Sequence, residues 1–286
     1  MIFENILDFI KSNILYIIWS IVNFIISFLI LGANGYSFLI CLVLYTVSLT
    51  VALSPLGEWI LRLINGARKL YTRREKDYLI PLFEEIYENI KQEYPNLPHM
   101  EICIMDSLTV NACAMGRHTI AVTRGAVETF TEDELKGVLL HEIGHIVHGD
   151  TKATLLNLIG NGLFSIGVVI IKLALLILDL LLLPLFNETK GITVLVTSFI
   201  RFIFNILLFA FTLTGNIILS INSRSNEYSA DYFAYKMAYG EELISALYLL
   251  QKMSLEENMK LVQRMQASHP HIAKRIGRLE HLEDKA

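Results

Sequence analysis

The apolar positions of this chain fall into four long runs separated by stretches of mixed polarity. Residues Asn13 to Leu31 and Tyr36 to Ser54 are each long enough to cross about 30 Å of hydrocarbon as a helix. Gly32, Ala33, Asn34 and Gly35 alone separate them, an uncharged, helix-breaking connection that predicts an antiparallel hairpin over residues 1–56. Thr154 to Phe186, interrupted by Lys172 and Asp179, and Ile192 to Ile221, interrupted by Arg201, predict a second hairpin over residues 154–221, turning at Asn187 to Gly191. Charges inside such runs are costly, so these three face protein, a wet cavity or an interface, and snorkelling near a helix end is their simplest explanation. A signal peptide is a poor reading of the first run, which lacks a basic leading segment and a small-residue cleavage site.

Between the hairpins the period changes. Ile80, Phe83, Ile86, Tyr87 and Ile90 recur at helical spacing from Asp77 to Tyr94, and Pro95 ends the helix. Glu101 to Met105, Val110 to Ala114 and Thr119 to Thr123 are short β-favouring stretches, three strands of a small sheet. Thr131-Glu132-Asp133-Glu134 is a capping box opening a helix through Leu135, Val138, Leu139 and Ile143. Glu227 to Met237 and Glu241 to Met253 are helical in period, with Gly240 as the break. The polar segments 57–153 and 222–286 therefore form one domain into which the second hairpin is inserted. The fold class is α+β: a mainly α-helical membrane protein with four transmembrane helices and a small β-sheet in its polar domain.

Composition supports the membrane reading, since 53% of the 286 residues are apolar and the mean hydropathy is +0.49. The net charge of -4 and the lack of a long basic run exclude nucleic acid as an expected partner. Cys41, Cys103 and Cys113 suit neither a disulfide framework nor a cysteine zinc site, and fit a reducing compartment. Arg62, Arg68, Lys69, Arg73, Arg74 and Lys76 follow the second apolar run, whereas the hairpin turns hold only Lys190. By the positive-inside rule, both termini and the polar domain are expected to be cytoplasmic in a multi-pass protein of the cell membrane.

The chemistry concentrates in His141-Glu142-Ile143-Gly144-His145. Histidines four apart on a helix project from one face toward one ion, and Glu142 beside them can take a proton from water made acidic by that ion. The pentapeptide arises by chance in on the order of one chain in a hundred of this length, so its neighbours matter. A catalytic zinc needs a third protein ligand and an open position, for which Glu227 is the best candidate. Asp231, one helical turn later, can accept the free ring N–H of a ligand histidine. Two histidines and one carboxylate favour one Zn2+ per chain over harder ions. His148 points in another direction around the helix and is expected to be no ligand.

Together the His141 to His145 motif, Ser223-Arg224-Ser225-Asn226-Glu227-Tyr228-Ser229-Ala230-Asp231, and His269-Pro270 with Arg275 resemble the HtpX-type membrane metalloproteases, gluzincins related to the CaaX prenyl proteases. The order of helix pair, zinc motif, helix pair and glutamate matches that family. The resemblance implies a zinc-dependent endopeptidase with His141, His145 and Glu227 on the metal, Glu142 as general base, and Asp231 behind the ligands. It further implies that His269 either steadies the oxyanion or fills the fourth metal position in a resting form, and that Arg275 orients the acidic residues beside it. Asn111, Ala112, Cys113 and Ala114 would belong to a cleft strand that pairs with extended substrate. Relatives commonly carry arginine where Asn226 stands, which leaves one charge contact in question. Misfolded or damaged membrane proteins are the implied substrates, and the lipid bilayer the implied surroundings. The alternative is a catalytically silent zinc-binding receptor or scaffold on the same fold, against which Glu142 argues. A motif buried within a bilayer helix is argued against by the charged residues Glu132, Asp133, Glu134 and Lys136 just before it.

Overall fold

The computed structural model describes residues 13–30, 34–151, 155, 177, 190–254 and 270–285. His269, Lys172, Asp179 and almost all of the third apolar run lie outside the described residues. What is described is mostly helical, with one small sheet.

Helices α1 (Ile14–Ile30) and α2 (Gly35–Leu53) occupy the first two apolar runs. Asn34 caps α2, its side chain accepting from the Ser37 backbone N–H, which is the helix-starting role its residue type favours. Ser54 then ends α2 and caps α3 (Pro55–Ile64), with Pro55 at the first helical position, where its missing N–H costs nothing. The sequence did not announce α3. By length and composition, two helical stretches among the described residues are fit to cross a membrane, Gly35–Leu53 and Ser198–Lys236, with the shorter apolar Ile14–Leu29 beside them.

The polar part of the chain begins with β1 (Ala67–Arg68) and α4 (Arg73–Glu93). The latter starts four residues ahead of its apolar period, because Thr72 and Glu75 form a reciprocal capping box. Strands β2 (Glu101–Met105), β3 (Ala112–Met115) and β4 (Thr119–Thr123) follow, then the short α5 (Arg124–Thr129) and α6 (Glu132–His148). The sheet order is β1-β2-β4-β3; β2 and β4 run parallel, while β3 returns antiparallel to β4 and forms one edge. Helix α7 spans Lys190–Lys236, and α8 (Gly240–Ser254) and α9 (Ile272–Glu283) complete the described chain.

Helix α7 joins two elements the sequence reading kept apart. The fourth apolar run and the segment bearing Glu227 form one unbroken helix of 47 residues, about 70 Å long at 1.5 Å per residue. The break after it falls at Ala238, whose φ of +62° is left-handed, and Gly240 opens the next helix. Indole packing fixes the upper part of α7: Trp19 of α1 stacks on Phe211 at 4.7 Å and lies against Gly215, where a Cβ would stand 2.2 Å from the ring.

The main hydrophobic core is built around α6. Leu135, Leu139, Leu140 and Ile143 are completely buried among Leu79, Ile86 and Ile90 of α4, Ile120 and Val122 of β4, and Leu243 and Leu247 of α8. Fully burying one such aliphatic side chain is worth about 1.5–3 kcal/mol. The helix that carries the histidine pair is thus buried along most of its length.

Candidate metal centre and active site

Helix α6 starts at a second reciprocal capping box, between Thr131 and Glu134, and stops at Gly149, which adopts φ +80° as a left-handed cap. Between these ends His141 and His145 share one face, their rings 4.8 Å apart between centroids. Helix α7 crosses that face at small residues. A Cβ on Gly144 would stand 3.1 Å from both the Ala230 Cα and the Phe233 Cβ, so the glycine lets the two backbones approach closely enough for Glu227 to reach both imidazoles.

Glu227 lies between the two rings, 3.6 Å (Oε2) from His141 Nε2 and 3.5 Å (Oε1) from His145 Nε2. One ligand atom from each of the three residues lies within 4.8 Å of the others. Four ligands around zinc at 2.0–2.2 Å stand about 3.3–3.6 Å from one another, and a carboxylate with one oxygen near each imidazole is within reach of such a site. The second nitrogen of each ring is already engaged: His141 Nδ1 is 2.9 Å from Asp231 Oδ1, and His145 Nδ1 is 2.9 Å from Asp150 Oδ2. When Nδ1–H donates to a carboxylate, Nε2 keeps its lone pair for an ion. Donor types, spacing and tautomers therefore fit a zinc ion held by His141, His145 and Glu227 with one position left for water or substrate.

A buried guanidinium underlies this set. Arg275 of α9 donates from Nε and Nη2 to Asp231 at 2.9 and 2.6 Å, and its Nη1 is 3.0 Å from Glu227 Oε2. Burial opposes charge on every member, yet the pairing prevails. Burial and Arg275 disfavour the His141 imidazolium, but hydrogen bonds to Asp231 and Glu227 raise its pKa overall. His145, also opposed by burial, is raised to about 10 through Asp150 and Glu227. Asp231 is lowered despite burial, by its bond to His141 and by Arg275. So many inward carboxylates make the pocket one that stabilises positive charge.

Glu142 takes no part in the ligand cluster. Its Oε2 accepts a 2.8 Å hydrogen bond from the Ala114 backbone N–H of β3, which places a carboxylate between the metal-ligand face and the sheet edge. Just before β3, Asn111 faces Thr123, whose N–H donates to Asn111 O at 3.0 Å while the Asn111 N–H donates to Thr123 Oγ1. Alternation along an antiparallel ladder then turns the N–H and C=O of Ala112 and Ala114 away from β4, on the side where the Ala114 N–H meets Glu142. Cys113 points off the strand beside Glu142, and burial, with that neighbouring carboxylate, pushes its thiol up to about 12, where it is no nucleophile. His148 packs on Phe233, away from the ligand cluster.

The sequence reading missed Asp150. Its signal is a Gly-Asp pair just after the second histidine: Gly149 turns the chain back, and the next side chain meets His145.

Residues 73–283 match the family described as "Peptidase family M48". The chain belongs to peptidase family M48. Among curated relatives, "Protease HtpX" of Shewanella baltica (strain OS185) is 25% identical over 240 residues, covering 78% of this chain and 81% of the relative. "Protease HtpX" of Pasteurella multocida (strain Pm70) is 28% identical over 212 residues, covering 67% and 69%. Among solved structures, the S. mikatae Ste24p crystal structure aligns with a TM-score of 0.48 at 22% identity, covering 85% of this chain and 57% of that one. This M48 chain is thus similar to HtpX-type proteases and carries apolar helices suited to a membrane.

Proposed function

We propose that this M48 chain is a membrane-bound, zinc-dependent endopeptidase working at the cytoplasmic face of the bilayer. The observation that carries the reading is the convergence of His141, His145 and Glu227, with Glu142 held beside them at the sheet edge. A bound zinc ion supplies Lewis acidity toward the scissile carbonyl and lowers the pKa of water.

The chain's own residues supply the rest. An extended peptide laid along β3 pairs with the outward N–H and C=O of Ala112 and the C=O of Ala114, which fixes its register while Asn111 and Cys113 stay paired with β4 and the Ala114 N–H stays on Glu142. Glu142 accepts a proton from the attacking water on one carboxylate oxygen and delivers it to the departing amide nitrogen, so the peptide bond breaks with no covalent enzyme intermediate. The Ala114 N–H holds that carboxylate in place between the two transfers. Asp231 and Asp150 keep the imidazoles in the Nδ1–H tautomer, and Arg275 helps keep the buried Asp231 ionised while pairing with Glu227. By family resemblance His269 steadies the oxyanion or fills the fourth position at rest.

Four transmembrane helices, with domain segments 57–153 and 222–286 cytoplasmic, complete the proposal. It is supported by the apolar helices among the described residues and by the basic residues that follow α2. Such a placement suits the removal of misfolded or damaged membrane proteins at their cytoplasmic segments. The test is cleavage of a membrane-inserted unstable protein against a soluble unfolded one, with zinc stripped by chelation and then restored. Zinc-dependent cutting of the inserted protein supports the proposal; cutting of soluble protein alone removes the quality-control role.

A further inference from the structure

Helix α3 is amphipathic the wrong way round for a soluble domain. Leu56, Trp59, Leu63 and Ile64 recur at helical spacing on its outer face and are 50–68% exposed, whereas Gly57 and Glu58 on the opposite face are buried. A contiguous exposed apolar stripe containing tryptophan needs a partner, and the surroundings say which. The helix begins one residue after α2, the span fit to cross a membrane, ends. Gly57 allows the sharp corner, since a Cβ there would stand 2.6 Å from Val51 O and 2.7 Å from Ala52 O. Exposed Lys69, Arg73, Arg74 and Lys76 follow, complementary to anionic headgroups. An amphipathic helix leaving a membrane span, with tryptophan on its apolar face and bases beside it, fits the headgroup boundary.

The inner face of α3 is tied to the cleft. Glu58 Oε2 accepts from the Arg117 backbone N–H at 3.2 Å, and Glu58 Oε1 accepts from Thr119 Oγ1 at 2.5 Å. Arg62 also donates to Thr119 Oγ1 and lies 3.7 Å from Glu101. The β3–β4 turn is shaped for this contact: Gly116 has φ +68°, and a Cβ on it would stand 2.6 Å from Glu58 Oε2. From the other side Thr151, just past α6, donates to Gly116 O at 2.5 Å.

We propose that α3 lies in the headgroup boundary through Leu56, Trp59, Leu63 and Ile64, and that its Glu58 clamp on the β3–β4 turn sets the substrate-pairing edge strand against the membrane surface. The inference rests on the membrane reading above and adds to it a part that recognises the lipid surface and directs the cleft toward membrane-anchored chains.

The chain holds two tryptophans, Trp19 and Trp59, so Trp19→Phe leaves one reporter. The full chain is reconstituted in vesicles of neutral and anionic lipid brominated either high or deep in the acyl chain, and flotation reports membrane association separately. The expected result is a roughly twofold or greater loss of Trp59 emission with shallow bromines and a smaller loss with deep ones, as an interfacial helix requires. The emission lost from otherwise wild-type protein on Trp59→Phe checks that the Trp19 change has not moved the helix. A chain that floats while its Trp59 ignores both lipids overturns the proposal and leaves the membrane reading standing. Protection from lipid bromines and aqueous iodide alike assigns the face to a second protein and also overturns it. Failure to float removes both. The double variant Trp59→Glu, Leu63→Glu is expected to cut a membrane-anchored reporter about tenfold less well relative to a soluble unfolded protein. An unchanged ratio contradicts the placement of the cleft.

Discussion

Arg275 is the residue whose removal reads most directly on how the ligand set is held. Its guanidinium makes two bonds to Asp231, at 2.9 and 2.6 Å, and lies 3.0 Å from Glu227, with side-chain exposures of 9% for the arginine and 3–4% for its partners. Replacing it with methionine keeps much of the aliphatic volume but leaves two buried carboxylates short of a cation. Losing one partner of a buried charge pair costs about 3–5 kcal/mol. At about 2–4 °C per kcal/mol for a domain of this size, the melting midpoint of metal-free protein should fall by roughly 6–20 °C. Arg275→Lys should recover only part of this, because a single ammonium cannot repeat the two-pronged contact with Asp231 while also reaching Glu227. Thermal unfolding of chelator-treated wild type, Arg275→Met and Arg275→Lys in one detergent gives the comparison. A methionine variant within about 2 °C of wild type would refute the claim that this cation stabilises the site.

Two further predictions follow from groups around the same helices. Glu75, bonded first to Arg68 and, against some burial, to the Thr72 and Tyr71 N–H groups, is lowered from 4.5 to about 2. A carboxyl with a depressed folded-state pKa contributes stability that is complete above its unfolded value and lost as pH falls through the folded one. Glu75→Gln should therefore flatten the stability profile between about pH 4.5 and 2, measured by chemical unfolding, and an unchanged acid limb would contradict it. Asp150→Asn weakens the acceptor for His145 Nδ1–H and should lower zinc affinity about 10–100-fold in chelator competition while the fold persists. Wild-type affinity in that variant would show that Asp150 does not support the ligand.

The His141, His145 and Glu227 cluster was legible where chemistry imposes a spacing. Two histidines four apart share a helix face wherever that helix lies, and Glu227 with Asp231 repeats the logic one turn apart. The two long strands β2 and β4 were legible with their bounds, because β-favouring residues there are bounded by turn formers. Other features depend on tertiary contact. Two-residue β1 has no period to read. The span and the ligand-bearing segment of α7 looked separate because polarity changes near Asn222, although backbone helicity continues through the change. Gly240 looked like the helix break by residue type, yet Ala238 takes the left-handed turn, and Gly240 opens the next helix with the movable Glu283 carboxylate packed over it. Helix α3 was hidden because its apolar residues continue the pattern of the preceding apolar run, while its buried face is defined only where Glu58 meets the turn at Gly116.

In the proposed mechanism Glu142 moves the proton while the two histidines and Glu227 hold the ion. The measurement is bound zinc and hydrolysis of an unfolded protein by purified wild type and Glu142→Gln, with and without a chelator. Both proteins should bind one zinc per chain, and only wild type should cut at full rate, chelator-sensitively, with the variant slowed by about 10²–10⁴-fold. A Glu142→Gln protein that retains its zinc and cuts as fast as wild type would contradict the account.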